Sequence, residues 1–463
     1  MTLSPSRVPE TPPQEGLGHT TRPEPDTEPD TAVDPSRWID LCPAPSYGPG
    51  ARIARRLFRS AINRLDVTVH VAAGARTPAE VLGRGGPAIH VHRPEELYAR
   101  IARDHLIGFG EAYLTGAWDE GDQGPDALGD FLEVLAARMS TLVPRPLQRM
   151  RAVVSPRLPD THRGSRRHTR ENIAAHYDLS NELFALFLDP TLTYSSALFT
   201  EDELATLLAG GGPVGGDAFV AAQHRKIDRL LDAAGVGEGT RVLEIGTGWG
   251  ELALRAAARG AEVRSITLSV EQRALALERI AAAGLADRVS VDLCDYRALL
   301  EDPAAAGAYD AVVSVEMIEA VGAAYWPTYF ETLDHTLAPG GRVAIQGITL
   351  PHERMLATRD THTFITKYIF PGGALPSVRA IEEITRERTG LRLVDDLPMG
   401  LHYAPTLQRW DASFAAARDE VAALGFDRTF RRMWHFYLQY CRAGFAAEYI
   451  GNHQLTFAKH GER

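Results

Sequence analysis

The hydrophobic pattern divides the chain into unequal stretches. Between residues 219 and 350, short apolar runs of strand character alternate with amphipathic segments of helical period. The runs RVLEIG, EVRSITL, VSVDLCD, YDAVVSVE and RVAIQGITL are rich in Val, Ile and Leu and read as buried strands. Segments 219–234, 249–259, 270–283 and 323–336, which precede or separate them, read as helices. Such alternation predicts an α/β fold with a doubly wound parallel sheet. Further helices are expected at 410–423 and 427–448, before a last strand, HQLTFAK.

Upstream the pattern changes. The alternating runs VTVHV and AIHVH, a helix around PEELYARIARDH and the segment GFGEAYLTGAWDEGD predict a small α+β domain over residues 37–143. In residues 51–65, Ile53, Leu57, Ala61 and Leu65 recur every fourth position, flanked by Ala54, Phe58 and Ile62, and five arginines surround them. That helix can pack its stripe on its own domain or lie on an anionic bilayer. Residues 1–36 hold eight prolines and almost nothing apolar, and so are expected to be disordered; residues 144–170 hold eight arginines and one acid, and read as a basic linker. The remainder, 171–463, is the α/β domain.

Composition narrows the classes. At 44% hydrophobic and 24% charged the chain is an ordinary globular protein. Cys42, Cys294 and Cys441 are too few and too scattered for a disulfide framework or a four-ligand zinc site. His352, His362 and His402 lack metal-ligand spacing, so no metal is expected. The net charge of −11 hides an asymmetry, because residues 51–170 carry 19 arginines against 13 acids. A basic first third on an acidic protein suggests an anionic partner for one region only. No nucleic-acid-binding module is evident, which favours a phospholipid surface. With no apolar run long enough to span a bilayer and no export signal, a cytoplasmic protein visiting the inner face of the membrane is expected.

Candidate chemistry centres on Gly246-Thr-Gly248-Trp-Gly250, which follows a strand ending in Glu244 and opens a helix. Glycines there let a ligand approach the backbone at a helix N-terminus. Glu244 disfavours a pyrophosphate, so the cationic, phosphate-free cofactor S-adenosylmethionine fits better than a dinucleotide. At the end of the third strand, Asp295 is placed to accept the adenine amino group.

Seven segments in order carry a resemblance: ENIAAHYDLSNELFALFLD, TYSSALF, LEIGTGWGELA, ITLSVEQ, VSVEMIEAVG, KYIFPGG and HYAPTLQRW. On these the chain resembles the cyclopropane-fatty-acyl-phospholipid synthase family, which includes the mycolic acid cyclopropane synthases. The resemblance implies a Rossmann-like sheet with helical insertions. It also implies transfer of a methyl group from S-adenosylmethionine to a cis double bond of a lipid acyl chain. By position it implicates Tyr194, Ser195, Gly246, Gly248, Thr267, Leu268, Gln272 and Asp295 in cofactor binding. The family's bicarbonate base, held by Cys, Glu, His and Tyr side chains, maps onto Ser196, Glu319, Gln346 and Tyr403, with Ile348 beside them. Ser196 stands where Cys is frequent, Gln346 where His is, and Ala320 where a Glu-His pair has its His. These departures resemble the branch that makes 10-methylene fatty acids, which a separate flavoprotein reductase then converts to methyl-branched chains. Cyclopropane formation is the alternative, and a non-catalytic lipid-binding relative a weaker one. The oligomeric state stays open.

The chemistry itself is demanding. An alkene is a weak nucleophile, so the site must align it with the methyl donor, exclude water from the resulting cation and provide a base for the departing proton.

Overall fold

The computed structural model describes residues 33–142, 180–212, 214–359 and 361–459. The basic segment 144–170, His176 and nearly all of the proline-rich tail lie outside the described residues. The last residues assigned to that tail, 33–36, are part of the fold: Asp34 caps a turn by accepting from the Ser36 backbone N–H and hydroxyl.

The main sheet has seven strands. In chain order they are β5 (Arg241–Ile245), β6 (Glu262–Thr267), β7 (Val289–Leu293), β8 (Tyr309–Val315), β9 (Leu337–Thr349), β10 (Leu391–Pro398) and β11 (Gly451–Lys459), arranged β10-β11-β9-β8-β5-β6-β7. Strands β9-β8-β5-β6-β7 are parallel, and β11 runs antiparallel between β9 and β10. Helices cover both faces, which is why the parallel strands are mostly buried and rich in Val, Ile and Leu. The first strand, β5, lies between β6 and β8, so the chain turns outward in opposite directions beside it. The carboxyl end of such a strand is where open α/β sheets bind ligands.

The N-terminal region forms a second sheet of four short strands, β1 (Thr68–Val71), β2 (Glu80–Gly83), β3 (Ala88–Val91) and β4 (Trp118–Asp119), in the order β2-β1-β3-β4. Its helices, Pro49–Ile62, Pro94–Leu114 and Ala127–Leu142, pack against it. The α+β architecture is as expected, but this region has no separate core. Trp118 and Phe131 share one buried cluster with Trp410, Trp434 and Phe436 from the C-terminal helices. The indole of Trp118 lies over the ring of Phe109 and edge-on to Phe436, and Arg432 donates to the Tyr113 and Trp118 carbonyls.

Two local expectations change. The helix expected from residue 410 begins at Gly400 and runs to Ala416 with Pro405 inside it, which puts Tyr403 on its first turn. In the basic helix Pro49–Ile62, the residues turned inward are Ala51, Ala54 and Ile62, with Leu65 just beyond its end, whereas Ile53 and Leu57 are 60% and 51% exposed. The domain therefore takes the side of the stripe that carries the small residues, and two large aliphatic side chains remain on the surface.

Candidate active site

A single cavity of about 1150 Å³ runs from the end of β5 to the basic helix. Its inner end is lined by Glu244, Gly246, Gly248, Thr267, Leu268 and Gln272. The β5 turn there depends on left-handed backbone: Gly246 has φ +96° and Gly250 φ +91°. A Cβ on Gly246 would lie 3.2 Å from Met317 Cγ, and one on Gly250 3.1 Å from Ala276 Cβ. Side chains are thus strongly disfavoured by φ, and a Cβ would also press its neighbours by a few tenths of an ångström. Helix Val270–Ala282 starts at Ser269, whose hydroxyl accepts from the Gln272 backbone N–H, and this cap aims Gln272 at Thr267.

Glu244 is buried on this inner wall. The sheet register puts it opposite Ser265, whose hydroxyl donates to it and in turn pairs with Thr247. Burial pushes the Glu244 carboxyl up to about 8. An open glycine turn with no cationic side chain among the described residues of its wall, and with a carboxyl that a nearby cation would help to ionise, suits a cationic ligand better than a phosphate, so the residues present fit S-adenosylmethionine. Asp295 is placed differently from its neighbours. Cys294 and Tyr296 line the cavity, whereas the Asp295 carboxylate is gripped by the Arg297 guanidinium at 2.6 and 2.9 Å and accepts from its backbone N–H.

Beyond the turn the cavity passes a chamber lined by Tyr194, Ser195, Lys226, Glu316, Glu319 and Tyr403. The Tyr194 hydroxyl meets that of Tyr437 at 2.7 Å, and its ring lies 5.2 Å from Trp410. Lys226 is fully buried and its ammonium donates to Ser195 Oγ. Burial pulls it down to about 8, while Glu316 and Asp189 act in the opposite direction.

The four residues aligned with a bicarbonate cage do not converge on Glu319. Three of them converge on Glu316. Its Oε1 accepts from the Ser196 backbone N–H at 3.1 Å, Gln346 Nε2 at 2.9 Å and Asn452 Nδ2 at 2.9 Å, and its Oε2 accepts from the Tyr403 hydroxyl at 2.6 Å. Ser196 contributes only backbone, because its hydroxyl donates to the Ala197 carbonyl. Gln346 is fixed from behind by Gln454, its partner across β9 and β11, which donates to its Oε1 at 3.1 Å. Glu319 stands apart: its Oε1 accepts from the Ile348 backbone N–H, its Oε2 is buried with no partner among the described residues, and burial followed by the charge of Glu316 pushes it up to about 8. Glu316, Asn452 and Lys226 were not singled out by sequence reasoning. One signal was present, an acid following the buried run VVSV three residues before another acid.

Past this chamber the walls become apolar, with Phe364, Phe436 and Ile107 leading to Leu106, Leu57 and Ile53 at the basic helix. The N-terminal region therefore builds the outer wall of the same cavity.

Comparison with known proteins identifies the family. Residues 164–455 match the family model described as mycolic acid cyclopropane synthetase. The chain belongs to that family. As a member it is an S-adenosylmethionine-dependent methyltransferase with the expected Rossmann-like sheet. It is 50% identical over 437 residues to a tuberculostearic acid methyltransferase of Mycobacterium tuberculosis, covering 94% of this chain and 98% of the relative. It is 31% identical over 395 residues to the cyclopropane-fatty-acyl-phospholipid synthase of Escherichia coli K12, covering 83% and 93% of the two chains. Among solved structures, a mycolic acid cyclopropane synthase in complex with SAH and CTAB superposes with a TM-score of 0.54 at 29% identity, covering 63% of this chain and 98% of that one.

Proposed function

We propose that this member of the family methylates the cis double bond of unsaturated, oleoyl-type phospholipid acyl chains and releases a methylene-branched chain. The observation that carries this reading is the continuity of one cavity from the glycine turn, through a chamber of carboxylates, to an apolar arm. The relationship to a tuberculostearic acid methyltransferase over nearly the full length of both chains supports the methylene product.

In this reading Tyr194, Ser195, Glu244, Gly246, Gly248, Thr267, Leu268 and Gln272 hold S-adenosylmethionine. Cys294 and Tyr296, rather than the Arg297-bound carboxylate of Asp295, border its adenine. The cofactor supplies an electrophilic methyl group to the alkene. Phe364 and Phe436 align the acyl chain and keep water from the cation that methylation leaves on it. The Glu316 carboxylate and the tyrosine rings around the chamber stabilise that positive charge.

Ile53 and Leu57, exposed at the cavity mouth among Arg52, Arg56 and Arg59, form an apolar and cationic rim suited to an anionic bilayer surface. No helix among the described residues is long and apolar enough to cross a membrane, so this reading is of peripheral contact from the cytoplasmic side. A methylene product is an alkene, and its conversion to a methyl branch belongs to a flavin-dependent reductase.

The test is incubation of the purified protein with S-adenosylmethionine and dioleoyl phospholipid, followed by mass spectrometry and proton NMR of the fatty acids. A gain of one CH2 per modified chain with exocyclic methylene protons is expected. Cyclopropyl protons would replace the methylene product by a ring, and no mass gain despite cofactor binding would overturn the enzymatic reading.

A further inference from the structure

We propose that the carboxylate of Glu316 is the base that removes the proton from the methylated acyl cation, so that the chain itself provides the group that a bound bicarbonate would otherwise supply. The inference rests on the lipid C-methylation reading and names the residue that completes it.

Four observations support it. First, Glu316 lines the cavity, whereas Ser196, Gln346 and Asn452 lie behind it and reach the reaction space only through its carboxylate. Second, the donors come from distant elements: the loop at Ser196, Gln346 on β9, Tyr403 on helix Gly400–Ala416 and Asn452 on β11. All four are donors, which matches the acceptor-only oxygens of an ionised carboxylate. Donors committed to Glu316 cannot also enclose a bicarbonate. Third, the backbone of Glu316 has φ +49°. A left-handed conformation costs a non-glycine residue on the order of 1 kcal/mol and persists where surrounding structure enforces it. Here it turns the side chain from the end of β8 back into the donor ring. Fourth, the neighbouring acid is differently equipped. Glu319 is met only by backbone N–H groups, has a buried oxygen with no partner among the described residues, and holds its proton up to about 8. Two carboxylates in unlike surroundings divide into one that accepts a proton and one that keeps its own.

The reaction balances with Glu316 in this role. After the methyl group has added to one alkene carbon, the positive charge lies on the other. A hydride moves from the methylated carbon to its neighbour, carrying the charge to the methylated carbon. One proton then leaves the new methyl group for Glu316. The C–H electron pair becomes the exocyclic C=C bond, and the resulting carboxylic acid later returns its proton to solvent. An alkyl cation is a very strong carbon acid, so placement and dryness, rather than the strength of the base, decide the step.

Two variants separate the possibilities. Glu316→Gln keeps the size of the side chain and removes the base, whereas Glu316→Gly empties the ring and relieves the backbone. Wild-type turnover in carbonate-depleted buffer should be unchanged by added bicarbonate. Glu316→Gln should lose on the order of 10²-fold or more in turnover, as loss of a positioned base does, while its calorimetric affinity for S-adenosylmethionine stays within about threefold of wild type. Glu316→Gly should bind carbon-13-labelled bicarbonate, detected by NMR line broadening without cofactor or lipid, and recover turnover as bicarbonate is added; wild type should show no broadening. Dependence of the wild type on bicarbonate, broadening with the wild type, or a Glu316→Gln enzyme within tenfold of wild type would each overturn the assignment. If wild type methylates no lipid at all, the functional reading fails on its own, and the labelled-bicarbonate experiment still decides what the donor ring holds.

Discussion

The two ends of the cavity are built in opposite ways. The cofactor end is a local construction: Glu244 to Gly250 supplies an acidic strand end, three glycines and a helix start within one turn, with Thr267, Leu268 and Gln272 added by the next β–α unit. The chamber is assembled from a distance. The carboxylate of Glu316 is held by residues 196, 346, 403 and 452, and the outer wall comes from residues before 142. A site made by one turn tolerates change elsewhere in the chain. One made by converging elements depends on the register of β9 against β11 and on the seating of the C-terminal helices.

That difference can be broken at either end. The largest effect is expected at the turn, where Gly246→Val must adopt φ +96° and crowd Met317. Calorimetry should find affinity for S-adenosylmethionine lowered by at least about 10²-fold, from lost contacts worth ~3 kcal/mol. Retained affinity would mean that this turn does not hold the cofactor. In the chamber, Tyr403→Phe removes one donor from Glu316 and leaves the glycine turn intact. Its turnover is expected to drop by roughly 10- to 100-fold with cofactor affinity preserved, because one buried charge-assisted hydrogen bond is worth ~1.5–3 kcal/mol. Glu319→Gln likewise should lower turnover, through a buried acid facing the reaction space, and it provides a pH test as well.

The sign of that test follows from the raised value. Glu319 keeps its proton up to about 8 in the folded protein, whereas the unfolded chain releases it near 4.5, so the folded state binds more protons between those values. Stability therefore falls as pH rises through this window and levels off above it. Urea unfolding at pH 6 and pH 8 should show Glu319→Gln losing less stability than wild type between the two, by about 1–2 kcal/mol. An equal loss would mean that the carboxyl is not held protonated. Glu244, raised to about 8 by burial as well, contributes the same trend in both proteins.

The smallest effect concerns the rim. Replacing Ile53 and Leu57 together with Ser removes exposed apolar surface without touching the inward-facing Ala51, Ala54 and Ile62. Sedimentation with anionic liposomes should weaken by several-fold, on the scale of ~1–2 kcal/mol for two partly inserted aliphatic side chains. Unchanged sedimentation would remove this helix from the membrane contact.

Much of the molecule was legible from the chain alone, and its misses share a cause. The parallel strands were visible because burial on both faces makes each one predominantly apolar, as in RVLEI and YDAVVSV. The α+β region was recognised, but its boundary at residue 143 was not a boundary between cores, because nothing local tells Trp118 that its neighbours include Phe436. The stripe of the basic helix was read correctly as apolar, yet which side faced inward depended on what it packed against. Tyr403 was identified while the start of its helix was placed ten residues too late, since Pro405 signals a break that tertiary packing overrides. Glu316 was passed over in favour of Glu319 because position along a motif does not reveal which of two nearby acids meets the donors.

By itself, the sequence determined the strand and helix periods, the glycine turn with its acidic strand end and the class of cofactor that fits it. All of these depend on residues within a few positions of one another, where backbone geometry is set by local sterics and hydrogen bonding. The tertiary structure decided where the chamber's negative charge sits, which side chains carry it and how far the apolar arm extends. Those features arise from residues that meet only after the sheet has closed in register and one continuous core has joined the two ends of the chain.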